Sequence, residues 1–177
     1  VPENDKTAVK WYTLAAEQGL AKAQYNLGVM YDFGKGVPEH DKTAVKWYTL
    51  AAEQGLAKAQ YNLGIMYDFG KGVSENDKTA VKWYTLAAEQ GLAKAQYNLG
   101  IMYDYGKRVP ENDKTAVKWY TLAAEQGLAK AQYNLGIMYD FGKGVPENDK
   151  TAAKWYTLAA EQGNSSGQYL LGLMYQH

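Results

Sequence analysis

The sequence predicts an all-α solenoid of antiparallel helix pairs, and three observations predict it. First, Trp11, Trp47, Trp83, Trp119 and Trp155 stand 36 residues apart, and Gly28, Gly64, Gly100, Gly136 and Gly172 keep the same step. A fixed period of this length marks units too small to bury a core alone, which must lean on their neighbours. Second, each period holds two stretches whose apolar residues recur at helical spacing. Third, only short connections join them, which makes successive helices antiparallel. The reading is a single repeat domain over 1–177. It comprises a half repeat at 1–19 with only the unit's second, Trp-bearing helix, full repeats at 20–55, 56–91, 92–127 and 128–163, and a divergent half repeat at 164–177. That makes ten helices.

The elements follow in order. Val1 to Asp5 reads as a linker, with Asp5 as helix N-cap. The Trp helix then runs to about Gln18 and stops at Gly19, a residue suited to the left-handed C-cap. At 100° per residue, Ala8, Trp11, Tyr12, Ala15 and Ala16 share a core face, while Lys6, Lys10, Thr13 and Glu17 form a solvated ribbon. The next helix spans about Ala21 to Phe33, with Ala23, Gln24, Leu27, Met30 and Tyr31 inward. Its far side carries Tyr25 and Val29 beside Lys22 and Asp32, with Asn26 and Phe33 on a flank. A helix so apolar on both sides needs cover twice, or a ligand on one side. Gly28 costs this helix about 1 kcal/mol relative to Ala, which predicts a packing reason for it. Gly34-Lys35-Gly36-Val37-Pro38 breaks the helix, with Val37 plugging the corner of the core. The cycle restarts at Asp41, Asp77, Asp113 and Asp149. Departures are few: Ser74 for proline, His40 for Asn, Arg108 for the second loop glycine, Tyr105 for Phe, and Asn164-Ser165-Ser166-Gly167 with Leu170 in the last half unit.

Nineteen Lys and Arg balance nineteen Asp and Glu, so the basic footprint of a nucleic-acid or membrane-surface binder is absent. There is no cysteine, hence no disulfide framework or thiolate metal site. No apolar run approaches the length of a membrane span. The chain opens at Val1 in mid-period, which reads as a fragment or a processed form.

The elements Ala23…Leu27-Gly28…Tyr31…Gly34-x-Gly36-Val37…Asp41…Ala44…Trp47-Tyr48…Ala51-Ala52…Gly55 resemble the Sel-1-like repeat, a relative of the tetratricopeptide repeat. The resemblance covers essentially the whole chain. It implies a right-handed superhelix of helix pairs acting as a scaffold or adaptor in protein complexes, with the Leu-Gly helix lining the concave surface. Carried over residue by residue, the candidate protein-binding ladder is Tyr25, Asn26 and Val29; Tyr61, Asn62 and Ile65; Tyr97, Asn98 and Ile101; and Tyr133, Asn134 and Ile137. Asn can donate to and accept from a peptide backbone, and Tyr offers apolar area with a polar tip. Asp32 and Lys22, with their copies, would add balanced local charge. The implied partner is a protein or an extended peptide segment. The alternative is that the tyrosines only pack between units, in a structural or self-associating module or a consensus-like sequence without an evolved ligand. The near-identity of the units makes the two ends complementary, the geometry of head-to-tail self-association.

Motifs that resemble chemistry lack its context. Asp32-Phe33-Gly34 spells a kinase metal-binding triplet at a helix end, without a catalytic loop. Gly28 to Lys35 is one residue too long for a phosphate loop, and Gly36 stands where Ser or Thr would hold magnesium. Asn164-Ser165-Ser166 is a formal glycosylation sequon. His40 and His177 have no partner at ligand spacing and read as surface residues. None of Ser74, Ser165 and Ser166 begins a Ser-x-x-Lys, and the repeated acids form no close pair flanking a bond. The prediction is no enzyme, no cofactor and no metal.

Overall fold

A computed structural model describes residues 3–176. It contains ten helices and, among the described residues, no strand: α1 (Glu3–Glu17), α2 (Ala21–Asp32), α3 (Asp41–Glu53), α4 (Ala57–Phe69), α5 (Asp77–Glu89), α6 (Ala93–Asp104), α7 (Asp113–Glu125), α8 (Ala129–Asp140), α9 (Asp149–Glu161) and α10 (Ser165–Met174). Odd-numbered helices carry the tryptophans and even-numbered helices the Leu-Gly pair. They fall into two compact units, Val1–Gln90 with α1 to α5 and Gly91–His177 with α6 to α10.

Helix starts differ from the sequence expectation by one residue. The cap is not the aspartate but the residue before it. Asn76, Asn112 and Asn148 accept the backbone N–H of Thr79, Thr115 and Thr151 at 2.9, 3.0 and 2.8 Å. His40 Nδ1 takes that place for Thr43 at 3.2 Å, on the surface as expected. Asp41, Asp77, Asp113 and Asp149 are instead the first helical residues, where a carboxylate favours the positive end of the helix dipole. Asp5 lies within α1, as do Glu3 and Asn4, so the expected linker is helical there; its Val1 and Pro2 lie outside the described residues, as does His177. The Leu-Gly helices begin without a side-chain cap, except that Asn164 Oδ1 accepts from Gly167 N at 2.8 Å to open α10. The sequon asparagine is thus a helix cap. Gly19 takes the left-handed C-terminal conformation expected of it, with φ 89°.

The core takes up the two aromatics of each Trp helix to different depths. Tyr48, Tyr84, Tyr120 and Tyr156 are fully buried, with Ala44, Ala51, Ala59 and Leu63 closing around the first of them. The tryptophans sit on the flank: Trp47, Trp83 and Trp155 are half-buried, Trp11 is 62% exposed, and only Trp119 is buried. Each has a lysine over its ring, Lys46 over Trp47 at 5.3 Å for instance, so the ring shields the core edge while its other face meets a cation. In α1, Ala8, Tyr12 and Ala15 are likewise only half-buried.

α2, α4 and α8 are each covered twice. α2 packs on α1 and more extensively on α3, and the same asymmetry recurs at α4 and α8. Tyr25 and Val29 rest against the cluster that holds Tyr48 and Leu63, so the following unit supplies the second cover. Gly28 explains the closeness. A Cβ there would lie 2.6 Å from Cδ1 of Tyr48, and at Gly64 2.8 Å from Cδ1 of Tyr84, well inside contact distance. The expected packing reason is the tyrosine ring laid on a bare helix backbone.

The Gly-Lys-Gly loop nests on the unit before it. A Cβ on Gly72 would meet the carbonyl carbon of Asp41 at 2.5 Å, and one on Gly144 that of Asp113 at 2.5 Å. Val73 and Val145 pack against the cores, the corner role expected of Val37. Arg108 occupies the equivalent position at φ 68°, where Gly36, Gly72 and Gly144 lie between 70° and 74°. An L-residue pays roughly 1–2 kcal/mol for that conformation, part of it returned by the lower chain entropy of a non-glycine residue. Arg108→Gly is therefore expected to raise stability by about 1 kcal/mol, read as a higher midpoint in urea unfolding; an unchanged or lower midpoint would show that Arg108 is not strained.

Candidate protein-binding face

Directional polar contacts tie each Leu-Gly helix to its neighbours. Gln24, buried within α2, donates through Nε2 to the Ala16 carbonyl at 3.2 Å and accepts through Oε1 from Gln54 at 2.7 Å. It thus bridges the end of α1 to the end of α3. The bond from Gln54 to Gln24 recurs as Gln90 to Gln60 at 2.7 Å, Gln126 to Gln96 at 2.8 Å and Gln162 to Gln132 at 2.7 Å. Sequence reasoning placed Gln24 inward without seeing this bridge; a glutamine on an otherwise apolar face was the signal.

The acids are not free groove charges. Asp32 Oδ2 accepts the Tyr48 hydroxyl at 3.0 Å, and Oδ1 takes Lys71 Nζ at 2.9 Å. Lys71 also lies 3.3 Å from Asp41 and 3.7 Å from Glu39. In the second unit Tyr120 donates to Asp104 at 3.1 Å, and Lys143 reaches Asp104 at 2.7 Å. The expected balance of Asp32 by Lys22 is therefore replaced by a pair with a lysine one unit further on, and Lys22 points to solvent. The reason is the nested loop, which delivers Lys71 onto the end of α2.

Of the predicted ladder, Tyr25, Asn26, Val29, Tyr61, Asn62, Ile65, Tyr97, Asn98, Ile101, Tyr133, Asn134 and Ile137 are all half-buried. The tyrosines double as inter-unit packing: Tyr25 meets Tyr48 at 6.0 Å between centroids, Tyr61 meets Tyr84 at 5.8 Å, Tyr97 meets Tyr120 at 6.1 Å and Tyr133 meets Tyr156 at 6.2 Å. In the first unit, Asn62 and Ile65 meet Asp32, Phe33, Met66 and Lys71 around a cavity of about 250 Å³. That is below the ~300–1,000 Å³ of small-molecule pockets and close to the size of one large side chain. Its one acid is already paired, so the cavity is apolar with an amide at its edge.

Sequence reasoning underrated one ladder. Phe33, Phe69, Tyr105 and Phe141, each directly following the repeated Asp, are 63 to 72% exposed. An aromatic that exposed at the same place in every unit is unusual for a soluble surface. Its signal in the sequence was an aromatic retained at the last residue before the loop glycine, which core packing does not require.

Burial and the Asp32 carboxylate push the Tyr48 hydroxyl far above the usual tyrosine range, while the Asn62 amide pulls the other way. Tyr120 behaves alike beside Asp104. The hydrogen bond that Lys71 donates to Asp32 holds its ammonium above the ordinary lysine value, against the pull of desolvation. Both groups hold their proton more tightly when folded. This stabilisation is complete below the unfolded values, about 10.0 for Tyr and 10.4 for Lys, and is lost as pH climbs through the folded ones. Tm is expected to fall steeply above about pH 10, with part of the tyrosinate absorbance appearing only as helicity is lost. Full tyrosinate absorbance before any loss of helicity would contradict the buried network.

No group of three or more His, Asp or Glu side chains able to hold a metal occurs among the described residues, and no described helix is long and apolar enough to cross a membrane. The Sel1 repeat family model matches residues 1–20, 21–56, 57–92, 93–128, 129–164 and 165–177. The chain is a Sel1 repeat protein. A protective antigen present in uropathogenic Escherichia coli strains is similar to it, with a TM-score of 0.93 and 42% identity over 96% of this chain and 36% of that one. A Sel1 repeat protein from Oxalobacter formigenes gives 0.90 and 41% over 97% and 50%. An immunity protein from Pseudomonas aeruginosa gives 0.58 and 27% over 90% and 59%. The chain therefore spans half or less of the length of the first two. No curated protein sequence matches it. These structures share the solenoid of helix pairs expected from the repeat, and Sel1 repeats generally serve as protein-interaction scaffolds rather than enzymes.

Proposed function

We propose that this Sel1 chain is a scaffold that binds an extended segment of a protein partner on the Leu-Gly helix face. The observation that carries this reading is the apolar cavity of side-chain size between Phe33, Asn62 and Ile65, beside an aromatic exposed in every unit. A partner's apolar side chain would enter the cavity, with Phe33 as its wall. The Asn62 amide would bond the partner's backbone. Tyr105, Asn134 and Ile137 carry the same roles in the second unit. The half-buried tyrosines Tyr25, Tyr61, Tyr97 and Tyr133 form the floor of the face and lend it shape, and Asn26, Val29, Asn98 and Ile101 extend it. Repeated side chains favour a partner with a repetitive or undemanding sequence. Main-chain bonds and apolar anchors then supply affinity, as in other extended-peptide modes.

The test is a peptide-display selection against the chain, counter-selected with Phe33→Ala/Phe69→Ala. Both side chains are largely exposed, so the variant keeps the fold. Enriched peptides are expected to lose at least about tenfold in affinity, or 1.4 kcal/mol, on the variant. Peptides that bind both proteins equally, or no enrichment at all, would overturn the reading.

A further inference from the structure

The Trp helices α3, α5, α7 and α9 share one outer stripe. On α3, Lys42, Lys46, Leu50 and Glu53 are exposed, and every other residue of the helix is buried or half-buried. At 3.6 residues per turn the four fall within about 80° of one another. α7 repeats the arrangement in full, and α5 and α9 keep its two lysines and its glutamate exposed.

The charges on this stripe work against the helix that carries them. Lys42 and Lys46 stand four apart, a spacing at which like charges repel. Lys42 lies in the first turn, at the positive end of the helix dipole, and Glu53 closes the helix at its negative end. No acid stands three or four positions from Lys46, and no base three or four from Glu53. Glu39 and Asp41 gather on Lys71 instead. None of Lys42, Lys46 and Glu53 joins an ion pair among the described residues, and Lys46 has the Trp47 ring at 5.3 Å. A helix that served the fold alone would carry these charges the other way round.

We propose that this stripe is a contact surface for a second copy of the chain, docked with its helices antiparallel. Turned end for end about its middle, the stripe sets Lys42 opposite Glu53 and Lys46 opposite Leu50. Opposite charges then meet at both ends, and each leucine takes the methylene stem of the lysine facing it. In the first unit α3 and α5 run parallel, separated by the antiparallel α4, and Trp83 of α5 packs against the cluster around Tyr48 of α3. Their stripes therefore lie side by side. A contact that uses the same surface on both copies is isologous, and it closes at two. Tyr25, Asn62 and Ile65 lie on the Leu-Gly helices, so the pairing leaves the proposed binding face open.

Two charge-reversed proteins test this. One carries Lys42→Glu, Lys78→Glu, Lys114→Glu and Lys150→Glu, and the other Glu53→Lys, Glu89→Lys, Glu125→Lys and Glu161→Lys. All eight positions are exposed, and each change suits the helix dipole, so neither protein is expected to lose Tm. Lys46 and its copies stay, which keeps their contact with the tryptophans. Sedimentation velocity of the wild type from about 1 µM to 1 mM, the span of weak specific binding, is expected to show mass rising from one copy to two and levelling there. In about 1 M salt, where screening acts within ~3 Å, it is expected to return toward one copy. Each variant alone sets like charges together and is expected to stay monomeric. Mixed in equal amounts, the two restore both charge pairs and are expected to sediment as a pair. A wild type that stays monomeric or grows beyond two copies would overturn the proposal. So would a variant that pairs with itself as the wild type does, or two folded variants that remain apart when mixed.

Discussion

The structure depends on one steric constraint, a tyrosine ring whose Cδ1–Cε1 edge meets a helix that has no side chain at the point of contact. Gly28, Gly64, Gly100 and Gly136 remove the Cβ, and Tyr48, Tyr84, Tyr120 and Tyr156 fill the space to complete burial. Glycine weakens its helix by about 1 kcal/mol, and burying a ring of this size is worth roughly 1.5–3 kcal/mol. The exchange is favourable only if ring and glycine meet. α2, α4, α6 and α8 are consequently stable in the presence of the Trp helix that follows each of them, and this makes the fold a property of the array rather than of one repeat.

Apolar contact alone would leave neighbouring helices free to slide. The polar bridges remove that freedom. Gln24 fixes the ends of α1 and α3 against each other, and Asp32 gathers the hydroxyl of Tyr48 and the ammonium of Lys71 at the opposite end of α2. With a directional bond near each end, the register of the helix is set. The same bridges decide what the binding face can offer. Asp32 is occupied, so the face presents aromatic and aliphatic surface with amides, beside the solvent-exposed Lys22.

The repeat, the two helices per repeat, the glycines at their ends and the need of α2 for a second cover or a ligand were all legible in the sequence, because periodicity and the Gly28 anomaly are local signals. The 100° step placed Trp11 and Tyr12, with their copies, together on the core face; it could not say that the tyrosine points more directly inward while the tryptophan packs at the edge of the core. Asp41 was taken for a cap because Asp and Asn are both good caps, and only the bond from Thr79 to Asn76 distinguishes the two positions. The pairing of Asp32 with Lys71 spans 39 residues, so no local pattern could announce it. The exposed Phe33 ladder was readable in principle, as an aromatic that the core does not need.

The measurement that tests this account most directly is a double-mutant cycle at one ring and its glycine. Gly64→Ala, Tyr84→Leu and the double variant would be compared by urea unfolding with wild type. If the ring on the bare helix is the constraint, Gly64→Ala destabilises by about 1–3 kcal/mol through overpacking. In the Tyr84→Leu background the same change becomes neutral or stabilising by up to about 1 kcal/mol, the helix propensity of alanine. Equal effects of Gly64→Ala in both backgrounds, or a stabilising effect beside an intact Tyr84, would contradict it.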